Sequence, residues 1–141
     1  MNRKNILVLC TGNSCRSQIA EGYLRHFTGG KHAIYSAGIE THGVNPRAIE
    51  TMAEDHIDIS GHTSNHIDEY REVPFDLVIT VCDHARENCP WFPTEAERVH
   101  HSFTDPAKAT GSEGEIKKAF ADTRDEIREY CRKLVADKFN L

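Results

Sequence analysis

Cys10-Thr11-Gly12-Asn13-Ser14-Cys15-Arg16-Ser17 decides how this chain is read. An apolar run, Ile6-Leu7-Val8-Leu9, precedes it, and a helical pattern, Gln18 to Arg25, follows it. The layout is strand, tight loop, helix, with a cysteine opening the loop and an arginine closing it. Such a loop turns successive backbone N–H groups inward and ends at a helix N-terminus, which makes a nest for an anion. Gly12 and Asn13 tolerate the positive φ the turn is expected to need. Arg16 adds a planar fork that grips two oxygens of a tetrahedral oxyanion. The same positive surroundings are expected to lower the pKa of Cys10 and make it a thiolate. Ser17 can donate to that thiolate or cap the helix. A thiolate beside a bound oxyanion is a nucleophile aimed at phosphorus or at an atom presented in the same shape. Residues 10–17 are therefore the expected substrate-binding loop.

Outward from the loop, the 141 residues make one domain, 1–141. At 38% hydrophobic and 28% charged it has the composition of a globular protein. The formal charge of -5 argues against nucleic acid or an anionic membrane as partner, so a local nest must capture an anionic substrate. Met1 to Asn5 is polar and the apolar run behind it is too short for a secretion signal. The expectation is a cytoplasmic protein whose five cysteines stay reduced, hence catalytic, redox-active or buried.

In chain order, Asn5 to Leu9 reads as a fully apolar strand and Ser17 to Phe27 as a helix ended by Gly29-Gly30. Ala33 to Ala37 is a second strand, stopped by Gly38. Asn45-Pro46 opens a helix ending near His56, with Asn as N-cap and Pro at the first position. Asp68 to Arg71 makes a helical turn. Phe75 to Val81 is the second strong strand, followed by a short helix over 83–88. A final strand is expected at Arg98 to Ser102, then loop from Thr104 to Gly114. Glu115 to Lys138 is a long amphipathic helix with Ile116, Phe120, Ile127, Cys131 and Leu134 near one face. Alternating strands and helices predict an α/β three-layer sandwich, a four-stranded parallel sheet with helices on both faces. Ligands in such sheets sit beyond the carboxyl ends of the strands. If the two strong strands are neighbours, Cys10 and Cys82 face one crevice.

Cys82 and Cys89 are seven apart, which on a helix gives one face but about 10.5 Å of rise. A disulfide needs Cα atoms within about 7 Å. They are either two packed cysteines or a pair whose oxidation unwinds the polar segment between them. Asp105-Pro106 holds an aspartate in an extended conformation, where it forms an ordinary turn or a general acid over Cys10. The histidines His84, His100 and His101 with Cys82 and Cys89 match no common zinc spacing, so no metal site is assigned. Cys131 belongs to the apolar stripe of the last helix.

These residues resemble a known group. Cys10 to Ser17 looks like the oxyanion loop of the low-molecular-weight protein tyrosine phosphatase fold. Tyr35 to Pro46, Asp58 to Ser60, His62 to Ser64, Asp76 to Cys82, Asn88 to Pro90 and Asp105-Pro106 look like its thioredoxin-coupled arsenate reductases. The resemblance spans nearly the whole chain. It implies that Cys10 attacks arsenate held by the loop and Arg16 while Asp105 protonates the leaving oxygen. Cys82 then attacks Cys10, and Cys89 passes the disulfide outward to thioredoxin. It implies a monomer with no tightly bound cofactor. Some members bind potassium through residues matching Asn13, Glu21, Ser36 and an Asp, but this chain carries Asn65 at that last position. The rival reading is a phosphotyrosine phosphatase using Cys10, Arg16 and Asp105 alone. Phosphatases of the fold usually carry a tyrosine directly after the Asp-Pro, where this chain has Ala107. A third reading is a non-catalytic thiol sensor for an oxyanion or soft metal.

Overall fold

The computed structural model describes residues 3–81 and 96–139. Cys82, His84, Cys89 and the helix expected over 83–88 lie outside the described residues. Four parallel strands form one sheet: β1 (Asn5–Cys10), β2 (Ala33–Gly38), β3 (Leu77–Thr80) and β4 (Glu97–His100), in the order β2-β1-β3-β4. The two strong strands are neighbours as expected, with Leu9 opposite Thr80. Beyond the ladder the Val81 N–H still reaches the Leu9 carbonyl at 3.0 Å. Ile6 to Cys10 are at most 3% exposed, and alternate residues face opposite sides of a strand, so both faces of the sheet are covered.

Three helices are described: α1 (Arg16–Thr28), α2 (Pro46–Ala53) and α3 (Glu113–Phe139). α1 packs on β1 and β2 and against α2 and α3. Gly22 allows the α1–α2 approach, because a Cβ there would stand 2.8 Å from the Met52 methyl and 2.9 Å from Ile59. α3 buries Phe120, Ile127, Cys131, Leu134 and Val135, and burial pushes the Cys131 thiol pKa up, as befits a core residue. On the opposite face Tyr35 meets Tyr70 and Phe75 edge to face.

The elements match the expected order with shifted ends. α1 begins one residue earlier, at Arg16, and Cys10 is the last residue of β1. The last strand is Glu97–His100, set by pairing with β3 in register and not by its own apolar content. A 3₁₀ turn at Ile67–Tyr70 and another at Pro106–Lys108 replace a looser turn and loop. Asn45 caps α2 by accepting from the Arg47 N–H at 2.8 Å, with Pro46 first in the helix.

Candidate active site

The loop between β1 and α1 is shaped by what holds its carbonyls. Thr11 O accepts from Glu40 N at 3.0 Å, and Gly12 O from His42 N at 3.1 Å and Ser64 Oγ at 3.2 Å. Asn13 O accepts from Gln18 Nε2 at 3.1 Å, Ser14 O from Asn45 N at 3.0 Å and Cys15 O from Ile19 N at 2.9 Å. Five consecutive carbonyls are thus tied outward to neighbouring segments. In a trans peptide the N–H points opposite the C=O, so the amides of residues 12–16 turn toward the other side. They enclose a cavity of about 200 Å³ lined by Cys10, Thr11, Gly12, Ser14, Cys15 and Arg16, with Glu40, His42, Asp105 and Ala107 completing the wall. The N-terminus of α1 points its partial positive charge at the same place.

Arg16 Nη1 donates to the Phe103 carbonyl at 3.0 Å, and Nη2 lies 3.5 Å from Asp105. Its Nε is buried and has no hydrogen-bond partner among the described residues. A buried orphan donor at the wall of an amide-lined cavity is what an anion site looks like before the anion. Asp105 accepts from the Ala107 N–H at 3.0 Å, which fixes its carboxylate at the wall of the cavity that Cys10 and Arg16 also line. Cys15, five residues from Cys10, is a different thiol. Burial first and the Asp105 charge second push its pKa up to about 12, so it stays protonated at neutral pH.

Three sequence expectations are corrected in detail. Asn13 takes the positive φ, 48°, but Gly12 does not. Gly12 is needed for room, because a Cβ there would stand 2.8 Å from the His42 ring. Ser17 neither caps α1 nor offers its proton to Cys10; its hydroxyl donates to Asn13 Oδ1 at 2.8 Å, and both side chains are fully buried behind the loop. The N-cap position is Cys15, without a side-chain capping bond. Glu40 and His42, bonded to each other at 2.7 Å on the rim, received no role from the sequence. Their signal was present in the stretch Tyr35 to Pro46, but only the folded chain lays it along the loop. Gly38 is the pivot, since a Cβ there would lie 2.5 Å from Glu40 O and 2.8 Å from Asn13 N.

The residues implied for potassium already hold one another's donors. Glu21 Oε1 accepts from Ser36 Oγ at 2.5 Å and Oε2 from Arg25 Nε at 2.8 Å. Asn13 Nδ2 is aimed at Ser36 O and Asn65 O, at 3.3 and 3.4 Å. Asn65 Oδ1 accepts from Thr63 Oγ1 at 2.7 Å. A hard cation needs several oxygens turned toward it. Here each is matched to a donor and the one carboxylate to a guanidinium, so these residues do not fit the ion.

A family model described as low molecular weight phosphotyrosine protein phosphatase matches residues 5–139. An arsenate reductase of Halalkalibacterium halodurans is 53% identical over 127 residues, 90% of this chain and 91% of that protein. Arsenate reductase 1 of Staphylococcus saprophyticus is 50% identical over 141 residues, 100% of this chain and 99% of its own. A solved arsenate reductase in an oxidised state superposes with a TM-score of 0.79 at 32% identity, covering 95% of this chain and 98% of that one. The same enzyme class in a phosphate-binding state gives 0.75 at 32% identity with the same coverage. The expected four-stranded parallel α/β sandwich is borne out. By the match over almost its whole length, the chain belongs to the low molecular weight phosphotyrosine protein phosphatase family.

Proposed function

We propose that this protein reduces arsenate to arsenite through a cysteine relay. The observation that carries the reading is the amide nest closed by the orphan Nε of Arg16, built for a small tetrahedral oxyanion. Relatives of about half identity over nearly their full length are arsenate reductases. The Cys10 thiolate attacks arsenic, and Asp105 gives its proton to the departing oxygen, forming a Cys10 S–As(V) bond. Cys82 attacks the Cys10 sulfur. The S–As bond breaks with its electron pair going to arsenic, which leaves as arsenite, and a Cys10–Cys82 disulfide remains. Cys89 attacks Cys82 and frees Cys10 as a thiol. Thioredoxin reduces the resulting Cys82–Cys89 disulfide and supplies the two electrons. Support for Cys82 as the second nucleophile is its place in the chain: it follows Val81, whose N–H is bonded to the residue before Cys10. The protein acts as a cytoplasmic monomer without a tightly bound cofactor. No helix among the described residues is long and apolar enough to cross a membrane.

Phosphatase activity is the second reading, favoured by the family match and by a loop that fits phosphate equally well. At the cavity wall Ala107 follows Asp105-Pro106, which offers no ring to stack on a phosphotyrosine, so that activity is weak and secondary. The test is NADPH consumption with arsenate, thioredoxin and thioredoxin reductase. Cys10→Ser, Cys82→Ser and Cys89→Ser each abolish turnover, and Cys89→Ser still releases a single round of arsenite. A wild type that consumes no NADPH yet hydrolyses p-nitrophenyl phosphate, with Cys82→Ser doing so equally well, sinks the reductase reading in favour of the phosphatase.

A further inference from the structure

We infer that Arg25 is a positioning residue that supplies, from within the chain, the positive charge that the oxyanion loop's supporting network requires. The network can be traced link by link. Arg25 lies on α1, one turn beyond Glu21, and its Nε donates to Glu21 Oε2 at 2.8 Å. Its Nη2 donates to the Ile34 carbonyl on β2 at 2.7 Å, which fixes the guanidinium between helix and strand. Glu21 is 6% exposed, and its other oxygen accepts from Ser36 Oγ at 2.5 Å. The Ser36 carbonyl accepts from Asn13 Nδ2. Asn13 Oδ1 in turn accepts from Ser17 Oγ and from Gln18 Nε2 at 3.1 Å, and Asn13 holds the loop's positive φ.

A buried carboxylate without a cationic partner is costly. Glu21 is the network's one carboxylate, and a fixed cation beside it is what holds it aligned on Ser36. His62 Nε2 lies 3.6 Å from Glu21, but burial lowers the His62 pKa and favours the neutral ring, so it does not supply that charge. Arg25 does; Asn65 adds no carboxylate at its own position, and Glu69, which accepts from Asn65 Nδ2 at 3.2 Å and from the His66 N–H at 2.8 Å, is exposed to solvent and calls for no further cation. The oxyanion loop of this chain is therefore set without a bound monovalent ion. The inference concerns the loop and not arsenic, so it stands or falls separately from the proposed reaction.

The experiment compares wild type, Arg25→Lys, Arg25→Ala and Arg25→Met in KCl and in choline chloride at equal ionic strength. The readouts are Tm and kcat/KM for p-nitrophenyl phosphate and for arsenate. Wild type and Arg25→Lys are expected to behave alike in the two salts. Arg25→Ala loses about tenfold in kcat/KM in choline chloride, and KCl restores most of that loss together with Tm. Arg25→Met keeps the aliphatic stem and guards against a packing defect. Stimulation of wild type by KCl overturns the inference, as does a loss in the variants that KCl leaves untouched, or no loss at all. If arsenate is never turned over but p-nitrophenyl phosphate shows the expected pattern, the reductase reading fails and Arg25 keeps its role.

Discussion

The oxyanion cavity holds about 200 Å³, and the cavity along the edge strand β2 about 580 Å³. The larger one is lined by Glu21, Arg25, Tyr35, His62, Asn65 and Tyr70. Its buried carboxylate and the groups around it are already matched: Arg25 to Glu21, Ser36 to Glu21, His62 Nδ1 to Gln18 at 3.0 Å. The smaller one has a buried guanidinium nitrogen with no partner among the described residues and a row of amides turned inward by their tethered carbonyls. Volume therefore does not mark the candidate site. Unanswered hydrogen-bonding capacity does, because a buried donor left alone costs about 1–3 kcal/mol unless a ligand answers it. The same contrast separates the two arginines. Arg16 leaves its buried Nε without a partner among the described residues, and Arg25 directs its Nε and Nη2 to partners within the fold.

The strongest way to break this comparison is Arg16→Lys. Lysine keeps the charge but loses the fork and the Nε donor, so kcat/KM for arsenate should fall about 10²–10³-fold while Tm changes little. A drop no greater than that of Arg25→Ala would erase the distinction between the two sites. Asp105→Asn should cost about 10²-fold in arsenate turnover, with isothermal titration showing sulfate binding kept, since the amide keeps the shape of the wall but cannot pass on a proton. Gly38→Ala tests the pivot between the two cavities. Its Cβ meets backbone atoms that cannot swing aside, so urea unfolding should show a loss of about 1–3 kcal/mol.

The smallest effect concerns the other buried orphan, His32 Nε2. Its Nδ1 accepts from the Lys4 N–H at 3.0 Å and its ring packs on Phe139 at 4.6 Å, so this orphan faces packing and not a ligand cavity. Burial, followed by Lys4, Arg3 and Lys31, lowers its pKa, against a raising effect of Asp76. The folded state therefore binds the proton less readily than the unfolded chain. Stability is full above the unfolded value of about 6.5 and declines as pH falls below it. Chemical denaturation at pH 7.5 and 5.5 should show that decline, and His32→Gln should flatten it.

Much of this was legible in the residues because it is local. The apolar run Ile6 to Leu9, the Cys10 to Arg16 spacing and the Asn45-Pro46 cap each act within a few residues, and each is where the sequence placed it. Asp105 was legible as a candidate acid from the proline behind it. What was not legible depends on segments far apart in the chain. Glu40, His42 and Asn45 tether the loop through backbone N–H groups, and backbone contacts leave no mark on residue type. Gly12 read as a turn former because glycine usually frees φ, and Gly38 as a strand stop, yet both serve close approach. Ser17 has two local uses, and the fold chose a third, the buried Asn13, which only tertiary packing brings within reach.

The outward-tied carbonyls carry a consequence for how the protein works among other solutes. A cup of main-chain amides reads tetrahedral shape and negative charge, and it has no means of telling arsenic from phosphorus. Inorganic phosphate is then a standing competitor, and the apparent KM for arsenate rises linearly with phosphate concentration. On the proposed relay, discrimination moves from recognition to kinetics: both oxyanions enter, but only the one whose central atom accepts an electron pair from sulfur goes on to product.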